Sequence, residues 1–175
     1  LIDNLTYTHA TGNQLSKVED AVATTIGSGD FKNGSTATTE YTYNSTGSIT
    51  SDLNKGISSI TYNALGKPQL ITYSGTPVKT IAYTYDAAGT KIKTVTTVNG
   101  VTTTTDYVGP FVYTNNVLSF FSSPEGRVVK NGSTYEYQYA LTDHQGNTRL
   151  IFSSATPTAL TKTATFEGDA NDNGN

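Results

Sequence analysis

The 175 residues contain no cysteine, no methionine and no tryptophan. Without cysteine there are no disulfides, no thiolate nucleophile and no cysteine-bound metal. Charge is scarce as well: Asp, Glu, Lys and Arg make up 14% of the chain and sum to −3 at pH 7. Such a balance offers neither the basic stripe that nucleic acid requires nor a polybasic patch for an anionic membrane. No apolar run approaches the roughly 20 residues of a membrane span. No signal peptide is visible. The chain starts at Leu1 without any methionine, so we expect it to be a piece of a longer protein.

What is present is polar and β-prone. Hydrophobic residues reach only 35%, yet there are 12 tyrosines, and Thr, Ser, Asn and Gly fill much of the remainder. Low net charge with many aromatics argues against disorder, and this mixture suits exposed β-structure better than helix. One domain over residues 1–165, followed by a polar tail or linker over 166–175, is the expected organisation.

A short repeat runs along the chain. Tyr43-Asn44-Ser45-Thr46-Gly47, Tyr62-Asn63-Ala64-Leu65-Gly66 and Tyr85-Asp86-Ala87-Ala88-Gly89 share Tyr, then Asn or Asp, two free positions, and Gly. Thr8-His9-Ala10-Thr11-Gly12 reads as a degenerate early copy, and Thr142-Asp143-His144-Gln145-Gly146 as a late one with Thr in place of Tyr. Phe121 to Gly126 reads as a decayed copy with one extra residue. The Asn or Asp oxygen can accept a backbone N–H two residues on, forming an Asx-turn. The glycine supplies positive φ without steric cost. Alternating runs precede these turns, as in Ile81-Ala82-Tyr83-Thr84-Tyr85, and place tyrosines on one face of a strand.

Asn33-Gly34, Asn99-Gly100 and Asn131-Gly132 add hairpin signals. Across Asn99-Gly100, residues 94–98 and 101–105 are predicted to pair directly. The best helical candidate is Gln14 to Thr25, where the 3.6-residue period is incomplete. The predicted fold is therefore all-β, with stacked antiparallel hairpins forming a curved or spiralling sheet stabilised neighbour by neighbour.

The most chemically loaded stretch is Thr142-Asp143-His144-Gln145-Gly146-Asn147-Thr148-Arg149. An aspartate beside one of only two histidines raises a catalytic pair as one reading. The alternative is a structural turn in which Asp143 caps, Gly146 bends and Arg149 pairs locally. The turn is preferred because Asp143 falls in register with Asn44, Asn63 and Asp86, whereas His144 matches Ser45, Ala64 and Ala87, which share no chemistry. A general base would also need a pocket and a partner. The early carboxylates Glu19, Asp20 and Asp30 read as solvated loop charges.

The repeats resemble the YD repeats of the RHS family, and Tyr139 to Arg149 is similar to the motif of the RHS repeat-associated core. The likeness covers roughly Tyr41 to Phe152 and, more loosely, the N-terminal forty residues, with Gln145 departing from the family's usual apolar residue. The resemblance implies a wall segment of a β-sheet shell on a secreted or bacterial cell-surface protein. Its partners would be the rest of the parent polypeptide and a C-terminal toxin or other cargo. In some members an aspartyl autoprotease follows, marked by Asp-Pro-x-Gly. That motif is lacking in this chain, so no catalytic residue is carried over and no enzymatic activity is expected.

Two other classes remain open at this stage. Exposed tyrosines would suit an adhesion or glycan-binding module, and unpaired sheet edges would favour self-association. No cofactor is implied except calcium: Asp169, Asn171, Asn173 and Gly174 match the first half of a calcium loop. A polar tail is the preferred reading there, because the twelfth position, where a bidentate glutamate is expected, lies beyond Asn175 and no flanking helix is read.

Overall fold

The computed structural model describes residues 4–22 and 31–154 and is nearly all β among them. Asp30 and the calcium-loop candidates Asp169, Asn171 and Asn173 lie outside the described residues. The chain divides into two compact units, Leu1–Leu118 and Ser119–Asn175. No helix among the described residues is long and apolar enough to cross a membrane.

In the first unit, β1 (Leu5–His9) and β2 (Leu15–Asp20) form an antiparallel ribbon. Then come β3 (Tyr41–Tyr43), β4 (Ile49–Asp52), β5 (Ile57–Tyr62), β6 (Pro68–Tyr73), β7 (Lys79–Tyr85), β8 (Lys91–Val98), β9 (Val101–Val108) and β10 (Phe111–Thr114). Each of β4 to β10 pairs antiparallel with the strand before it. The second unit contains β12 (Gly126–Asn131), β13 (Thr134–Thr142) and β14 (Thr148–Ser153), with β11 (Val117–Ser123) entering at its boundary. These four also pair antiparallel in chain order.

The short connections follow turn chemistry. Asn99 and Gly100 both take positive φ, 51° and 78°, and Val98 pairs with Val101 across them. Two positive φ values form the turn whose twist matches that of its strands. Asn115 and Asn116 do the same at 49° and 65° between β10 and β11, without any glycine. At Asn131-Gly132 the turn sits one residue later than predicted. Asn131 is still in the strand, paired with Thr134, and Gly132 (φ 60°) leads the two-residue turn.

Three expectations require correction. The helical candidate Gln14 to Thr25 carries strand β2 within its described part, which ends at Val22: Leu15 and Val18 mimic helical spacing, but pairing with β1 decides the conformation. Asn33-Gly34 makes no hairpin. Its Gly34 N–H donates to Asn54 Oδ1 at 3.0 Å, and a Cβ there would lie 2.4 Å from the Asn54 carbonyl oxygen. The segment Phe121 to Gly126 is not a repeat turn either, because Pro124 and Glu125 form a two-residue turn with Ser123 paired to Gly126.

The hydrophobic core is thin. Val18 and Val128 are the only fully buried apolar side chains among the described residues, whereas Glu40, Ser51 and Asp52 are buried polar ones. Glu40 is wholly inaccessible. Its Oε2 accepts the Val18 N–H at 3.0 Å and the Asn54 amide at 2.7 Å. Its own N–H donates to the Ser16 carbonyl, and its carbonyl accepts the Leu53 N–H. Glu40 thus ties β2 to the 3-10 turn Leu53–Lys55, which Asp52 caps through the Lys55 N–H. Asp20 likewise accepts the N–H groups of Asn4 and Val22, so it is a cap and not merely a solvated charge. Glu40→Ala orphans two donors, each costing about 1–3 kcal/mol. Urea denaturation should show a loss of about 2–4 kcal/mol; a change below about 0.5 kcal/mol would contradict the staple.

Candidate functional site

Four repeat turns share one construction. The backbone N–H of Asn44, Asn63, Asp86 and Asp143 donates to the carbonyl four residues on, at 2.9–3.0 Å. The N–H of Gly47, Gly66, Gly89 and Gly146 returns to the carbonyl of that same Asn or Asp. The Oδ1 of each accepts the N–H four residues on, and Asn44, Asn63 and Asp143 accept the one two residues on as well. The glycines take φ values of 69–82°, a conformation that costs a side-chain-bearing residue dearly. Every turn is entered through a register shift, and the flanking pairs Tyr43↔Ile49, Tyr62↔Pro68, Tyr85↔Lys91 and Thr142↔Thr148 correspond.

The early copy uses this construction one residue out of the predicted register. His9 pairs with Leu15 as Tyr43 does with Ile49, and the Ala10 N–H donates to the Gln14 carbonyl. His9 therefore occupies the tyrosine place and Ala10 the Asx place.

The tyrosines do more than line a face. The Tyr43 hydroxyl donates to the Leu15 carbonyl at 3.0 Å, Tyr62 to Ile49 at 2.5 Å and Tyr85 to Pro68 at 2.9 Å. Each acceptor is the residue paired with the tyrosine-place residue of the preceding repeat: His9, Tyr43 and Tyr62. Ile49 and Pro68 also lie beyond the backbone ladder joining the two hairpins. β4 meets β5 only at Asp52↔Ile57, and the β6–β7 ladder stops at Leu70↔Ala82. The hydroxyl thus ties one hairpin to the next where main-chain pairing gives out. Lysines cover these and neighbouring rings: Lys67 over Tyr85, Lys79 over Tyr73, and Lys91 over Tyr83 and Tyr107. The Lys67 stem passes so close to Gly89 that a Cβ there would lie 2.6 Å from its Cε.

The late copy has Thr142 where a ring would stand, and its polar groups turn inward on the bend. Asp143 Oδ2 accepts Arg149 Nε at 2.9 Å, Arg149 Nη2 at 2.7 Å and the Asn147 amide at 3.2 Å. Together with the two N–H groups on Oδ1, this occupies the whole carboxylate. The Asn147 N–H is the chief cause of its lowered pKa; burial opposes the shift, and the Asn147 amide, the Gln145 N–H and Arg149 add to it. His144 is exposed and contributes nothing to this network. Among the described residues, no three His, Cys, Asp or Glu side chains gather to hold a metal ion.

In the second unit the tyrosines differ. Tyr135, Tyr137 and Tyr139 lie along one face of β13 and are open to solvent. Comparison with protein-family models, curated proteins and solved structures finds no match.

Tyr62→Phe leaves the Ile49 carbonyl without its donor and should cost about 0.5–1.5 kcal/mol in chemical denaturation. Tyr135→Phe should stay within about 0.5 kcal/mol, as expected at an exposed site; equal costs at the two positions would remove the clamp. Asp143 has a folded pKa below its unfolded value, so its stabilisation is full above about pH 3.9. It is lost as pH falls through the lower folded value. The Asn147 amide signal should keep its exchange protection through the ordinary aspartate range near about pH 3.9 and lose it only as pH falls further, through the lowered folded value, a transition absent in Asp143→Asn.

Proposed function

We propose that the chain is a non-catalytic wall segment of an RHS/YD-repeat polypeptide, secreted or displayed on a bacterial surface. Its partners in this reading are the rest of that polypeptide and a C-terminal toxin or other cargo. The observation carrying it is the run of tyrosine hydroxyls, each closing on the hairpin before it. A device of this kind lengthens a sheet by repetition without a second layer, which is what an extended wall needs. The full occupation of Asp143 by its own turn supports an architectural role for the polar octad 142–149. No cofactor enters this reading.

A second reading, a glycan-binding or adhesion module, is favoured by one observation: the open row Tyr135, Tyr137 and Tyr139. Tyrosines can stack on sugar rings while their hydroxyls hydrogen-bond.

The two are separated by limited proteolysis of the parent polypeptide together with polysaccharide binding by the chain itself. The wall reading expects a protease-resistant parent whose C-terminal segment becomes accessible when Tyr43, Tyr62 and Tyr85 are all changed to Phe. Unchanged protection in the folded triple variant overturns it. Saturable polysaccharide binding lost on Tyr137→Ala, with no protected segment in the parent, establishes the second reading instead.

A further inference from the structure

In the sheet of the second unit one face mixes polar groups with Phe120, Val129, Ala140 and Ile151, and the other is almost wholly apolar. On the mixed face Arg127 Nε donates to Gln138 Oε1 at 2.7 Å, and the Gln138 amide donates to Glu136 Oε1 at 3.0 Å. Ser153 Oγ donates to that same Glu136 oxygen. Residues directly opposite in a ladder share a face, so the pairs Tyr137↔Val128, Tyr139↔Phe152 and Leu141↔Leu150 define the other one. There Tyr135, Tyr137, Tyr139, Leu141, Leu150 and Phe152 stand between 38% and 55% exposed around the buried Val128. Tyr139 and Phe152 stack with ring centroids 5.2 Å apart. The one charged strand residue of β12 to β14 on this face is Lys130, opposite Tyr135.

We infer that this face is a self-association surface on which a second copy of the chain packs face to face. The inference is independent of the wall reading. Side chains of this size carry about 150–250 Å² each. Six of them half-exposed leave on the order of 500 Å² of largely apolar surface, near the upper end for a monomer. Two such faces together remove about 1,000 Å², at the lower bound of specific interfaces. Charge permits the pairing. Glu136 belongs to the opposite face and Asp143 is held in its turn by Arg149, so no carboxylates are brought together. The rows are also self-complementary. A two-fold axis parallel to the strands, midway between β13 and β14, sets β13 of one copy over β14 of the other, with Tyr139 facing Phe152 and Leu141 facing Leu150. Packed sheets about 10 Å apart accommodate side chains of this length. A sugar would be a poorer match, because Leu141, Leu150 and Phe152 offer it no polar partner.

Sedimentation of the full chain should show a monomer–dimer equilibrium, half-associated between about 1 and 100 µM. Tyr137→Lys combined with Phe152→Lys should leave a folded monomer across that range. A fold-independent readout comes from tyrosine nitration of the unmodified chain, mapped by mass spectrometry. Tyr135, Tyr137 and Tyr139 should become several-fold less reactive as concentration rises through the dimer range. A monomer at every concentration overturns the inference. So does a dimer whose formation leaves these tyrosines equally reactive, or one abolished by Ile151→Pro at the edge but not by the face variants. Protection that appears only on adding polysaccharide or lipid vesicles, with no dependence on protein concentration, assigns the face to that occupant and likewise overturns it.

Discussion

A tyrosine hydroxyl closing on a main-chain carbonyl of the preceding hairpin is the interaction on which the first unit depends. A sheet with almost no buried aliphatic side chain lacks the layer that normally drives folding. Cross-strand pairs contribute only about 0.2–1 kcal/mol each, so their positions must be specified by something other than a core. The clamp does this economically. One side chain lays an aromatic ring along the sheet and satisfies a carbonyl that the ladder no longer reaches. The Asx-turn then returns the chain at a fixed length, and the next tyrosine-place pair arrives where the following hydroxyl can find it.

Charge is used in the same local manner. Glu40 draws in a strand N–H, a turn amide and two backbone bonds, which makes a carboxylate the most buried side chain where β2 approaches β3. Asp143 collects two N–H groups and the fork of Arg149. A bidentate guanidinium has directional preference that a lone lysine lacks, and it holds the bend where no tyrosine is present. Asp143 has the hydrogen-bond richness of a catalytic group with both oxygens taken by its own turn, whereas Glu40 keeps one oxygen, Oε1, buried and unpartnered.

Much of the fold was legible because its signals are short-range. Asn99-Gly100 and the four Tyr/Thr-Asx-x-x-Gly turns depend on residues within five positions of each other, and the direct pairing across residues 99–100 follows from alternation alone. Features that join distant residues were not legible. The acceptors of the clamps lie 28, 13 and 17 residues back from their tyrosines, so no fixed offset announces them. Glu40 meets Val18 and Asn54 from 22 and 14 residues away, and nothing around position 40 sets it apart. Leu15 and Val18 carry a helical spacing that only the neighbouring strand overrides. The early copy misleads because glycine, the most visible letter of the repeat, sits one place before its usual position. For the late copy, register among the repeats pointed to Asp143 and Gly146, whose bonds within the bend follow the other three turns, whereas the hydroxyl role of the tyrosines has no local signal.

Because each clamp reaches backward along the chain and never forward, the first unit has a built-in direction of assembly. Each clamping hydroxyl finds its acceptor on polypeptide that has already been made, and pairings between chain neighbours keep the loops to be closed short. Such a ribbon can solidify progressively as it leaves a ribosome or a secretion pore, without waiting for its far end. Pulling backward through Tyr85, Tyr62 and Tyr43 would then undo the clamped hairpins one tyrosine at a time.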